Sequence, residues 1–164
     1  MKHARVLSAW TFSVAVMTVL LLGSCSGEPY QRNDNGITVR LNGKSDFPGQ
    51  AVRLQVINDR IIRVSAVPSG EFPESVSLMT IPQPDSDTEF TIEKGEGEIT
   101  LGTSSLTAQV SLKTGEVRFT DRVGNLILSE QEGGGRSFMP VMAMNEEGYT
   151  VRQQFESSPD EAIY

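Results

Sequence analysis

Apolar and polar residues alternate with period two along much of this chain, the pattern of strands with one face buried. Val52, Leu54 and Val56 alternate with Arg53 and Gln55; after Asn58-Asp59, Ile62, Val64 and Ala66 alternate with Arg63 and Ser65. Asn and Asp tolerate positive φ, so the spacing predicts two strands joined by a tight turn. The pattern resumes at Phe90 and Ile92, turns at Gly95-Glu96-Gly97, and continues through Ile99 and Leu101. Leu106, Ala108 and Val110 face Val117 and Phe119 across a turn at Thr114-Gly115, and Val123-Gly124-Asn125 turns the chain into Leu126 and Leu128. Beyond a loop at Gly133-Gly134-Gly135, Tyr149, Val151, Gln153 and Phe155 predict one more strand. Between Pro68 and Asp87 the alternation fails, and Pro68, Pro73, Pro82 and Pro84 interrupt the chain. That stretch reads as a long connection with one short strand near 77–81. Helical spacing is absent over any three turns of the chain after residue 24. About nine or ten short strands separated by turn residues imply an all-β fold, an antiparallel β-sandwich.

The beginning of the chain follows another logic. Lys2 and Arg5 precede a mostly apolar run from Val6 to Leu22, and Gly23-Ser24 are small. These are the parts of an export signal. Leu22-Gly23-Ser24-Cys25 resembles the bacterial lipobox, in which the cysteine takes a diacylglycerol and becomes the new amino terminus. Several acyl chains on one residue make a stable membrane anchor, where one would bind only reversibly. The expected organisation is a signal peptide over 1–24, a polar lipidated tether over 25–35 with Cys25 as the lipidation site, and a sandwich domain over 36–164. The expected location is therefore a membrane-anchored lipoprotein, periplasmic or on the cell surface. Glu161-Ala162-Ile163-Tyr164 is apolar where domain ends usually fray into polar residues, so the expectation is a domain truncated at its C-terminus.

Composition narrows the chemistry. Cleavage before Cys25 removes Lys2 and Arg5, leaving 14 − 2 = 12 basic against 21 acidic residues, a net charge of −9. An acidic domain without basic clusters is a poor partner for nucleic acid, while neutral glycans are not repelled. The single histidine, His3, and the single tryptophan, Trp10, leave with the signal, and the single cysteine, Cys25, is used for lipid. What remains excludes disulfides, His or Cys metal sites, Ser-His-Asp triads and Cys-His pairs; no cofactor or metal is expected. Paired acids stand at Asp85/Asp87, Glu130/Glu132, Glu146/Glu147 and Asp160/Glu161. Among 21 acids such pairs arise freely on solvated loops, so none is assigned a catalytic role. The triple glycine before Arg136 lacks the following helix that a phosphate cradle needs, and reads as a mobile loop. Met139, Met142 and Met144 read as filler for a core or an interdomain face. Tyr30 and Tyr149 are candidate platforms for a sugar ring.

Three stretches in order carry a family likeness: Val52 to Val64 (VRLQVINDRIIRV), Thr114 to Asp121 (TGEVRFTD) and Phe155 to Tyr164 (FESSPDEAIY). Together they resemble the N-terminal domain of glycoside hydrolase family 31, the α-glucosidase and α-xylosidase family, over about residues 36–164. The resemblance implies a galactose-mutarotase-like β-sandwich preceding a (β/α)8 barrel. It implies an aspartate nucleophile and an aspartate acid/base on that barrel, and retention at the anomeric carbon. None of those catalytic positions has a counterpart here. The expected function is the accessory domain of an exported lipoprotein α-glycosidase, inert by itself, with α-linked oligosaccharide as the substrate of the absent barrel. The alternative is a stand-alone glycan-binding surface lipoprotein. An aldose mutarotase is disfavoured, because that chemistry in the superfamily uses histidine and the mature chain has none.

Overall fold

The computed structural model describes residues 28–41, 51–69, 71–73 and 87–157. Among them are eleven strands and no helix. Strands β1 (Tyr30–Asn33), β2 (Gly36–Arg40), β3 (Ala51–Asn58) and β4 (Ile61–Val67) form one antiparallel sheet in chain order. Strands β5 (Thr91–Lys94), β6 (Glu98–Gly102), β7 (Leu106–Ser111), β8 (Val117–Asp121) and β9 (Leu126–Ser129) form a second, also in chain order. Strands β10 (Arg136–Ala143) and β11 (Glu146–Gln153) pair only with each other.

The first two sheets face each other across one core. Ile37, Val39, Val52, Leu54 and Val56 from the first meet Ile99, Leu101, Ala108, Val110 and Val117 from the second, all nearly or fully buried. The period-two residues of the sequence are these inward residues, so the β-sandwich is the fold that lets both sheets hide their apolar faces. Val110 lies opposite Val117 and Ala108 opposite Phe119, the pairing that alternation implies. At the β7–β8 turn, Gly115 has φ +72°, and a Cβ there would lie 2.7 Å from Leu41 Cδ1 and 3.2 Å from Val52 Cγ2. Only glycine lets that turn press onto the opposite sheet. A polar clasp joins the sheets between the β3–β4 and β6–β7 turns: Thr103 Oγ1 donates to the Asp59 carbonyl at 2.6 Å and Ser105 Oγ to Asp59 Oδ2 at 2.9 Å.

The structure departs from the sequence reading in several places. Positive φ does not close the β3–β4 turn, since the non-glycine residues with positive φ among those described are Met144 and Asn145. Asn58 Oδ1 instead accepts the Arg60 amide at 2.9 Å, a side-chain turn that needs no left-handed backbone. The tether expected over 25–35 is corrected at its end, because Tyr30–Asn33 forms β1 against β2. Its polar sequence suits an edge strand. Between the triple glycine and Tyr149 the sequence reading placed no strand, yet β10 begins at Arg136. Cys25, the short strand expected near 77–81 and the last residues of the chain lie outside the described residues.

Candidate functional site

The feature that sets this molecule apart from a plain sandwich is the hairpin β10–β11 and the neck that holds it. The hairpin turns at Met144 and Asn145, with φ 51° and 64°. Two consecutive positive φ values match the backbone twist of a tight antiparallel hairpin. Phe138 is the one buried side chain on either strand. The register places Phe138 opposite Val151 and Pro140 opposite Tyr149, so these four share a face with Met142. Met139 and Val141 lie on the other face. Phe138 and Tyr149 meet edge to face, with ring centroids 6.4 Å apart. Met139, Val141, Met142, Met144, Tyr149 and Val151 are all exposed, Met144 completely (100%). Leu126, Ile127 and Leu128 on β9 are exposed as well.

The neck is built around Glu130, which is only 2% exposed. Its Oε2 accepts the Val117 amide of β8 at 3.0 Å. Its Oε1 accepts Gln153 Nε2 of β11 at 2.8 Å and, in a close ion pair, Arg136 Nη2 of β10. Arg136 and Gln153 are themselves paired across the hairpin base. One carboxylate therefore joins three strands, with both oxygens engaged. Backbone bonds accompany it: Gln131 N to Gln154 O at 3.1 Å, Gln154 N to Gly135 O at 2.7 Å, and Glu156 N to Ser129 O at 2.9 Å. The glycines belong to this neck. Gly133 and Gly134 have φ 86° and 118°. A Cβ on Gly135 would collide with the Gln154 carbonyl oxygen. Gly133 also donates its amide to Glu116 Oε2 at 3.1 Å, so the expected mobile loop is a hydrogen-bonded corner.

Among the described residues, the acids paired in sequence are not brought together as a pair. Glu130 is consumed by the neck and Glu132 is exposed. Glu146 and Glu147 are consecutive on β11, opposite Ala143 and Met142, and so point to opposite faces. Asp87 is exposed, while Asp85, Asp160 and Glu161 lie outside the described residues. The placement of Glu130 on a solvated loop is thereby corrected, for its burial comes from partners that local sequence cannot reveal. Met139, Met142 and Met144 are not core filler, since all three are solvent-exposed. Tyr30 packs against the sandwich core and offers no open platform; Tyr149 is exposed on the hairpin. Among the described residues no three His, Cys, Asp or Glu side chains are grouped to hold a metal ion.

Known proteins resemble this domain. The family model of the glycosyl hydrolase 31 N-terminal galactose mutarotase-like domain matches residues 51–164. The chain belongs to glycoside hydrolase family 31. A crystal structure of a family 31 α-xylosidase from Xanthomonas citri resembles it with a TM-score of 0.69 at 38% identity, over 79% of this chain. The matched region is 14% of that α-xylosidase chain. The family 31 match begins at β3, yet β1 and β2 complete the same sheet, so the described domain reaches back at least to Tyr30.

Proposed function

We propose that this family 31 chain is the N-terminal accessory domain of an exported, lipid-anchored α-glycosidase of the α-glucosidase or α-xylosidase type. Cys25 carries the lipid, and the substrate is an α-linked oligosaccharide bound by a catalytic barrel. The observation that carries the reading is the hairpin β10–β11, whose two faces display exposed Met139, Val141, Met142, Tyr149 and Val151. Large apolar side chains left exposed on both faces of one element mark an interaction surface. The family relative, with 86% of its chain outside the match (100 − 14), supplies the kind of partner that would cover it. In this reading the hairpin packs on the barrel, and the barrel's own carboxylates cleave the glycosidic bond. In this reading the sandwich contributes no acid or nucleophile, and Glu130, the buried acid of the neck, has both oxygens engaged.

Activity tests this directly. Residues 25–164 alone should turn over neither aryl α-glucoside nor aryl α-xyloside, and the same residues joined to a family 31 barrel should turn over one of them. Turnover by the domain alone that disappears on mutating Asp160 or Glu161 would overturn the reading. For the anchor, Cys25→Ala should release the protein from membranes and abolish lipid labelling. Unchanged fractionation of that variant would remove the lipoprotein part of the proposal.

A further inference from the structure

We infer that Glu130 is a positioning residue: its carboxylate latches the hairpin β10–β11 to the five-stranded sheet and fixes the direction in which the apolar faces are presented. The identity of what they are presented to rests on the accessory-domain reading; the latch does not. Three donors converge on Glu130 from β8, β10 and β11, through the Val117 amide, Arg136 and Gln153. Apolar packing does little of this holding, because Phe138 is the sole buried side chain of the hairpin. The neck backbone is permissive, with positive φ at Gly133 and Gly134. A latch removes that freedom. Cohesion alone would be served better by an apolar residue at 130, because a buried ion pair gains little over well-packed hydrophobic groups once desolvation is counted. Hydrogen bonds, unlike apolar contacts, specify direction.

Hydrogen exchange on the purified chain, read strand by strand, tests the latch. In Glu130→Gln the amides of β10 and β11 should exchange about tenfold to a hundredfold faster, as expected for losing charge-assisted bonds, with β3, β6 and β7 unchanged. Glu130→Asp, which keeps the charge, should recover part of the protection. Unchanged hairpin protection in Glu130→Gln would overturn the inference, and so would equal loss from both sheets of the sandwich. Should that variant not fold, Gln153→Ala, which spares the pair with Arg136, carries the measurement with a smaller loss confined to the hairpin. Binding to a separately purified family 31 barrel then tests positioning. Parent binding with at least tenfold weaker binding by Glu130→Gln is the expected result. Equal binding by both overturns the positioning role. Absence of binding by the parent overturns the accessory-domain reading instead, and the exchange result still decides the latch.

Discussion

Asp121 closes the β8–β9 turn with a fan of donors: the Asn125 amide at 2.8 Å, Asn125 Nδ2 at 2.8 Å and the Val123 amide at 2.9 Å. Those bonds, Asn125's first, hold its carboxyl below the ordinary carboxylate value. The folded value is the lower one, so the turn gains from the ionised form above the unfolded value of about 4 and loses that gain as the pH falls through the folded value. The amide resonances of Val123 and Asn125 should therefore titrate with a midpoint below about 3.9. Asp121→Ala should remove the transition, and a midpoint at or above that value would refute the bond fan. In the core, Leu54 is fully buried among residues of both sheets. Leu54→Ala should cost about 2–5 kcal/mol in a denaturant titration. Leu54 was legible from its neighbours at 52 and 56. Glu130 was not, because what makes it special comes from residues 13 positions before and 6 and 23 positions after it. No local pattern encodes such a convergence.

At the scale of elements, β3, β4, β7 and β8 were readable because the apolar residues at every second position of each belong to the core or pack against it, so composition alternates with geometry. Strand β10 was not, since Phe138-Met139-Pro140-Val141-Met142 is apolar on both faces and contains a proline. A two-stranded hairpin has free outer edges, where a missing amide is tolerated. Its turn is also poorly written for its backbone. Met144 stands at φ 51°, a conformation that costs a non-glycine residue about 1 kcal/mol or more. Replacing Met144-Asn145 by Asn-Gly should protect the hairpin amides further and raise its local stability by about 0.5–1 kcal/mol. Faster exchange in that double variant would contradict the turn assignment.

Taken whole, the molecule joins a well-buried sandwich to an uncovered apolar appendage. Exposed strand edges with apolar side chains invite pairing with other copies. The isolated chain should therefore associate with rising concentration in sedimentation experiments. Val141→Lys with Val151→Lys should suppress that association while leaving the thermal midpoint of the sandwich within a few degrees, because both side chains are exposed. Association that persists undiminished would place the sticky surface elsewhere. The sandwich was legible as an architecture from strand count and turns, and the family likeness sharpened it. Of the appendage, β11 was legible from Tyr149, Val151 and Gln153, whereas β10, apolar on both faces, was not.

Each sheet of the sandwich is a simple meander: every strand bonds only to its neighbours in sequence, β1 to β4 in one and β5 to β9 in the other. The sole covalent link between the two runs from Val67 to Thr91. Sequence-local pairing lowers the loop-closure entropy of each half, so each can zip up early and the slow event is the meeting of two preformed faces. This ordering lets the first meander close while the second is still being synthesised. It also makes the domain separable in kind: a single protease cut between Pro73 and Asp87 should leave two fragments that copurify, held by interdigitated Val, Ile and Leu and by the Asp59 clasp. Dilution into mild denaturant should then part them at a concentration-dependent midpoint, a bimolecular signature that the uncut chain lacks.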